Sequence, residues 1–307
     1  MRIAVVGAGG VGGAYGAVLA EAGADVTFIA RGAHLEAMKS NGLRLESPRG
    51  DVHLVPTQAT DDPRAVGPVD VVLFCVKLWD VESAGEAIKP MVGKDTAVIP
   101  LQNGIDAADR LAPILGRQAM MGGVAVISAT IAEPGVIRQA GTVMRMMFGE
   151  PDGTRSRRGD AFAALCVKAG IDGVVSTSIE TELWMNFILL ASNASIMALA
   201  RLPIGKLRDD PDIAPWFTTA YEEVAAVGRA AGVALPADAV EKTLAFNRNA
   251  PPHLIPSMAV DLLRGNRIEL PWLSGKVVEL GRKHDVPTPT HAFMYATLKP
   301  YIMGKPA

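Results

Sequence analysis

The sequence predicts an α/β fold: a doubly wound, mostly parallel sheet at the N-terminus, followed by an all-helical C-terminal domain. Three observations carry this expectation. Short apolar runs alternate with segments of helical composition through the first half of the chain. A glycine-rich turn joins the first such run to the first helix. From Ile179 onward strand-type runs disappear, and long apolar segments are separated by Pro and Gly. The boundary falls near residue 177, which gives domains of residues 1–176 and 177–307.

Arg2-Ile-Ala-Val-Val-Gly7 is a β-type run. It leads into Gly7-Ala8-Gly9-Gly10-Val11-Gly12, then into the helical Ala17–Gly23, and a second apolar run, Asp25–Arg31, closes the unit. Strand, glycine turn, helix, strand is the βαβ unit of a dinucleotide-binding, Rossmann-type domain. Gly7 permits the tight turn, Gly9 lets the backbone approach a pyrophosphate, and Gly12 lets the helix pack close on the strand. The free N–H groups and positive dipole end of the helix then hold the phosphates. The plainer alternative is a glycine-rich structural turn. The second strand ends Ile29-Ala30-Arg31-Gly32, with arginine where an NAD site usually carries Asp or Glu. A 2′-phosphate would find a charge-assisted partner there, so NADP is the expected cofactor. A solvated loop arginine is the plainer reading of Arg31.

Beyond it, Ala33–Gly42 reads as a short helix stopped by Asn-Gly. Leu43–Glu46 and Val52–Val55 alternate around Ser-Pro-Arg-Gly as a hairpin. Asp70–Lys77 and Ala97–Gly104 are buried-type parallel strands. Ligands sit beyond the carboxyl ends of such strands, which gathers the glycine turn, Arg31, Lys77 and Asn103 around one crevice. Lys77 as a surface lysine and Asn103 as turn chemistry are the alternatives. Met120–Ile127 and Thr142–Gly149 are further strands, joined through Glu133-Pro-Gly; Ala161–Ala169 is helical and Gly173–Ser176 a last short strand. Glu180–Leu202 is a long apolar-rich helix without Gly or Pro.

The 307 residues carry a net charge of −2, about half of them apolar and a fifth charged, which argues against a nucleic-acid partner. The basic cluster Arg155-Ser-Arg157-Arg158 reads as a solvated loop. Cys75 and Cys166 lie in apolar runs, as buried reduced thiols do. The five histidines are scattered and no metal-ligand spacing appears. The chain starts on a core strand with no signal peptide, and no run reads as a membrane span; a cytoplasmic setting with no membrane partner is expected.

The C-terminal segment carries a resemblance. Ser257-Met, Asp261, Gly265, Glu269, Gly275 and Val286-Pro-Thr-Pro289 follow in that order. With the glycine motif, Arg31, Val76-Lys77 and Gln102-Asn103-Gly104, they resemble the ketopantoate reductase (2-dehydropantoate 2-reductase) family over nearly the whole chain. The resemblance implies NADPH-dependent reduction of a 2-keto acid in a cleft between two domains. It implies that Gly7, Ala8, Gly9, Gly10, Val11, Gly12 and Arg31 hold NADP, with Lys77 nearby and Ser128 as a loosely aligned backbone contact. Asn103 would touch both cofactor and substrate, Ser257 the substrate, and Glu269 the cofactor and the catalytic group. From the residues alone, Ser257 could equally be a helix N-cap and Glu269 a surface charge.

One departure stands out. Family members carry a proton-donating lysine two residues after the tryptophan of the long helix, and asparagines four and eight residues further on. Here Trp184-Met185 is followed by Asn186, then by Leu190 and Ala194 at the asparagine positions. Asn193, seven residues from Asn186, lies near the same helical stripe, so two amides could still bind a substrate carbonyl. An amide does not release a proton near neutral pH, which leaves water, Glu269 or His253 to do so. The leading expectation is therefore an NADPH-dependent reductase of a small carbonyl substrate other than ketopantoate. True 2-dehydropantoate 2-reductase is the alternative, and an inactive NADP-binding sensor the rival of another class. A homodimer is the oligomer to test.

Overall fold

Arg2–Val6 forms β1, buried at all but its first residue. The glycine turn carries the chain into α1 (Gly10–Glu21), β2 (Asp25–Ile29) and α2 (Gly32–Asn41). Three short strands follow: β3 (Leu43–Glu46), β4 (Val52–Leu54) and β5 (Ala59–Thr60). Next come β6 (Val69–Phe74), α3 (Val81–Ala87), β7 (Val92–Pro100) and α4 (Ala107–Leu115). The strands β8 (Gly122–Glu133) and β9 (Val136–Gly149), helix α5 (Arg157–Lys168) and strand β10 (Asp172–Val175) complete this half. The computed structural model describes residues 1–306. Its two compact units are Met1–Gln102 with Asp106–Ile179, and Asn103–Ile105 with the chain from Glu180 onward.

In the first unit, β5-β2-β1-β6-β7 form a sheet in which every pairing is parallel. The chain runs from β1 outward to β2 on one side and returns to β6 on the other. The switch point therefore lies at the carboxyl end of β1, where such sheets bind ligands.

The runs expected as further strands of this domain build a second, mixed sheet instead, and they are longer than their apolar parts suggested. β8 and β9 form one antiparallel hairpin, paired from Gly122↔Gly149 to Glu133↔Val136, with its turn at Pro134-Gly135. β3 pairs with the start of β9 (Leu45↔Ile137) and β10 with its end (Val174↔Met147), both parallel. β4 closes the expected hairpin on β3.

α1 lies in the core that both sheets share, with Ala14, Tyr15, Ala17 and Leu19 in one cluster with Val5, Phe28, Ile137 and Phe148. Its small residues make that possible. A Cβ at Gly16 would come within 2.4 Å of the Phe28 ring, and one at Gly13 within 2.7 Å of Ile137. The Tyr15 hydroxyl, buried with the helix, donates to the Arg145 carbonyl at 2.7 Å. The arginine cluster is not a loose loop. Ser156 caps α5, and Arg158 makes a bidentate pair with Glu150 at 2.8 and 2.7 Å. Cys75 and Cys166 are free thiols, and burial pushes both up to about 12.

The second unit is helical: α6 (Ile179–Ala200), α7 (Ala214–Ala230), α8 (Ala239–Asn249), α9 (Ser257–Leu263), α10 (Ser274–Lys283) and α11 (Pro289–Leu298). By length and composition α6 is apolar enough to cross a membrane, which the sequence reading did not expect; 61% of its most apolar window is buried inside the protein. It is the core helix, with Phe187, Ile188, Ala191 and Met197 packed among Phe217 and Val224 of α7, Val277 of α10 and Met294 of α11.

A buried polar seam runs through that core. Glu223 accepts the backbone N–H groups of Thr290 and His291, satisfying donors that the start of α11 would otherwise leave open. His291, fully buried, lies 3.2 Å through Nε2 from the Ala220 carbonyl and 3.0 Å through Nδ1 from the Ser274 hydroxyl, which contacts Ser195. The carbonyl only accepts, so Nε2 holds the proton and Nδ1 takes the serine's: the ring is neutral.

Burial pushes His291 down to about 4, from an ordinary value of 6.5. Between those values the unfolded chain binds a proton that the folded one refuses. The contribution is therefore complete above 6.5 and lost as pH falls toward 4, by up to about 1.4 kcal/mol per pH unit. Urea denaturation at several pH values should show wild type losing more stability over this window than His291→Gln. Parallel profiles would remove His291 from the acid response.

Candidate functional site

Each glycine of the first turn meets a different constraint. Gly7 has φ +93° and stands 2.9 Å, at its would-be Cβ, from the Cys75–Val76 backbone, so a side chain is excluded on both counts. A Cβ at Gly12 would meet the Gly7 carbonyl at 2.3 Å and Val5 at 2.8 Å; that contact seats α1 on β1. At Gly9 nothing lies within 4 Å of that position. The glycine is needed neither for a turn nor for packing within the chain, and its open face is where an approaching ligand would gain from the missing side chain. No side chain caps α1 and no acidic residue sits in its first turn, so its N–H groups and positive dipole end are left for an anion.

A cleft of about 360 Å³ opens beside this turn. Gly7, Ala8 and Gly9 form one wall, Ile29, Ala30 and Arg31 the end of β2, Val76 the segment after β6, and Ser83, Ala84, Ala87 and Ile88 the face and end of α3. The structure thus brings most of the predicted cofactor residues to one place, with Gly10, Val11 and Gly12 on the adjoining first turn of α1. Arg31 is 73% exposed, and its guanidinium lies 3.9 Å from Asp80. Lys77 directly follows Val76, is half-buried, and holds its Nζ 5.7 Å from the Trp79 ring.

Sequence reasoning missed three features of this cleft. Asp61 lines it: β5 pairs with β2 through Ile29↔Thr60, so the carboxylate absent from the tip of β2 arrives one strand over. His34, on α2, lines it as well and lies 2.9 Å from the Ala8 carbonyl. The β8–β9 hairpin also comes down on the turn, but not at Ser128. The Ala129 carbonyl stands 2.0 Å from where a Gly10 Cβ would be, with the Thr130 nitrogen at 2.8 Å. The pairing with β9 slips between Ile127↔Met144 and Ser128↔Ala140, and this irregularity directs Ala129–Thr130 to the turn. Only the glycine at position 10 hinted at so close an approach.

The remaining candidates belong to the helical unit. Asn103 is grouped with it, and the adjacent Ile105 packs on the helical core. Gln102, just before it, keeps both amide atoms buried without a protein partner, which in a folded protein calls for an explanation. Asn186 and Leu190 are half-buried on α6, Ser257 is exposed at the start of α9, and Glu269 is 5% exposed just before Leu270–Trp272. Ala194 is buried and His253 is exposed. Asn193 is a correction. It is 3% exposed, donates to Asn247 Oδ1 at 3.2 Å and accepts from the Tyr221 hydroxyl. Seven residues along the helix from Asn186, the stripe has turned into the core, and the amide expected to bind substrate ties three helices together instead.

Comparison with known proteins places these features in one lineage. Residues 3–153 match the family model described as ketopantoate reductase PanE/ApbA, and residues 178–301 match its C-terminal counterpart. A 2-dehydropantoate 2-reductase of Mesorhizobium japonicum is 32% identical over 311 aligned positions, covering 94% of either chain. Among solved structures, a PanE/ApbA family ketopantoate reductase from Ralstonia eutropha superposes with a TM-score of 0.90 at 34% identity, covering 98% of both chains. The 2-dehydropantoate 2-reductase of Porphyromonas gingivalis gives 0.85 at 33%, covering 97% of this chain and 99% of that one.

The contrast between neighbouring glycines is testable. Gly9→Ala has an ordinary φ of −71° and free space, so its melting temperature should stay close to wild type. Gly10→Ala drives a methyl into the Ala129 carbonyl and should cost about 1–3 kcal/mol. Equal melting temperatures by calorimetry would show that β8 does not rest on the turn.

Proposed function

The chain belongs to the ketopantoate reductase family, and from that premise we propose that it is an NADP-dependent oxidoreductase. It reduces the keto group of a small carbonyl substrate, a 2-keto acid or close relative, to a hydroxyl. The observation that carries this reading is the cleft itself. A glycine face left open at Gly9, an uncapped helix start and Arg31 sit along one wall, at the carboxyl ends of β1 and β2. Residues retained at family positions, the half-buried Asn103 and the exposed Ser257, support an enzyme over a sensor that only binds nucleotide.

The residues present fit such a cofactor. The amides of Gly10–Gly12 would receive the pyrophosphate and Arg31 the 2′-phosphate, whose charge of about −2 exceeds what the loose pair with Asp80 offers. Bound there, NADPH would supply hydride to the carbonyl carbon. Asn103 and Ser257 would orient the substrate through their amide and hydroxyl, and Asn186 would donate an N–H to the carbonyl oxygen. That amide can polarise the carbonyl but not protonate it. In this reading the proton reaches the alkoxide from water, with Glu269 in the supporting role that the family resemblance assigns it. Leu190, half-buried in place of an amide, gives the wall an apolar character suited to substrates less polar than ketopantoate, while Ala194 is buried in the helical core.

Two measurements test this. Arg31→Ala should weaken NADPH binding by about 1.5–3 kcal/mol, the worth of hydrogen bonds between charged groups, while NADH binding barely changes. Equal losses for both nucleotides would refute the assignment. A screen of NADPH oxidation should find a 2-keto acid turned over faster than ketopantoate.

The same screen with Asn186→Lys separates a remodelled pocket from a worn one. A positioned general acid contributes about 10²–10⁴-fold. Little rescue of ketopantoate reduction is expected, because the lysine would enter a helix face lined by Leu190 and Ala194, where an unpaired charge is costly. A large gain would identify ketopantoate as the native substrate class.

A further inference from the structure

We propose that His34 is a positioning residue for the phosphate-binding turn: one neutral imidazole fastens the Ala8 peptide on one side and the β8–β9 hairpin on the other. The inference rests on the nucleotide-binding reading of the cleft. His34 follows Arg31 by three residues, on the first turn of α2. Its Nε2 lies 2.9 Å from the Ala8 carbonyl, and its Nδ1 lies 3.0 Å from the backbone nitrogen of Gly135. The Gly135 N–H can only donate, so Nδ1 must be the unprotonated nitrogen and Nε2–H donates to Ala8. The two contacts thus demand one tautomer, and the lowering of the group's pKa by burial agrees with a neutral ring.

Each partner is a backbone atom of a segment that shapes the cleft. The Ala8 carbonyl belongs to the peptide whose other half is the Gly9 N–H, so holding the oxygen fixes the plane of that amide. The Ala8 methyl is buried in the core, but the peptide is flanked by glycines, with φ of +93° at Gly7, so its plane depends on what its carbonyl meets. Gly135 is the turn of the hairpin whose Ala129 carbonyl presses on Gly10 and whose Ile131 lines the cleft. The hairpin therefore meets the phosphate turn twice, by close packing at Gly10 and through the imidazole at Ala8. A residue kept only for packing would need neither nitrogen. His34 instead uses both, and orders the peptide that leads into the phosphate-binding helix start before any ligand arrives.

The test compares wild type with His34→Phe, which keeps a ring but no nitrogen, and His34→Gln, which offers a donor and an acceptor on one side chain. Amide hydrogen exchange on the ligand-free protein should be faster over residues 7–13 and 129–136 in His34→Phe and near wild type in His34→Gln. NADPH titrations should show affinity about tenfold weaker for His34→Phe, most of it recovered in His34→Gln. If His34→Phe does not fold, His34→Ala removes both bonds without bulk and carries the same expectations. Unchanged exchange and an NADPH affinity within twofold of wild type would overturn the proposal, as would a Gln variant no better than Phe. If wild type binds no nicotinamide dinucleotide, the reading of the cleft falls, and the exchange rates of the ligand-free proteins still decide the role of His34.

Discussion

The first unit depends on one helix being small. α1 is packed by the parallel sheet and by the mixed sheet, and four of its glycines sit where a side chain would collide with a strand. Gly12 and Gly16 admit β1 and β2, Gly13 admits Ile137 of β9, and Gly10 admits the backbone of β8. At each of these positions a Cβ would come within 2.0–2.7 Å of its neighbour, so the approach depends on the missing side chains. The same feature serves binding. A helix stripped of side chains at its start also exposes its N–H groups, so the demands of packing and of anion binding coincide on a single stretch of sequence.

That coincidence decides how legible the site was. The glycine turn, Arg31 and the strand before them were readable because their spacing is local and each residue type has one obvious use. The mixed sheet was not, because β8 and β9 run through mixed polar and small residues at 128–133 and 136–141, where the apolar alternation fades. Their pairing with each other and with β3 is long-range and leaves no local period. His34 was invisible for a related reason. Its partners are backbone atoms 26 and 101 residues away, and backbone acceptors carry no sequence signature.

In the helical unit, periodicity placed α6 correctly but said little about which of its faces stays open. Asn186 and Asn193 sit on nearly the same stripe of an ideal helix, yet one is half-buried and the other closed in by Tyr221 and Asn247. Polar residues within so apolar a helix looked like a binding stripe; Asn193, Ser192 and Ser195 are buried, and Asn193 and Ser195 bond to neighbouring helices. Such a seam costs desolvation and returns it only if every group finds a partner. The neutral His291, the capping Glu223 and the paired Asn193 meet that condition, which fixes the angular setting of α7, α8, α10 and α11 around α6 more strictly than apolar contacts would.

The electrostatics of the cleft carry the argument about cofactor choice furthest. Arg31 lies 3.9 Å from Asp80 and shares the cleft with Asp61, which follows the neighbouring strand. An exposed ion pair at that separation is worth little, so Asp80 tethers the guanidinium without neutralising it against a 2′-phosphate. Asp61 acts in the opposite sense, since a carboxylate beside the adenosine end would accept ribose hydroxyls and repel a phosphate. Geometry weights the contest toward Arg31, because a guanidinium can grip a phosphate with two parallel N–H donors, while the repulsion from an exposed carboxylate is screened within about 8–10 Å at ordinary ionic strength. Under the proposed NADPH reading, selectivity between the two nucleotides would be a matter of degree, set by the balance between Arg31 and Asp61, and would weaken as salt screens the arginine.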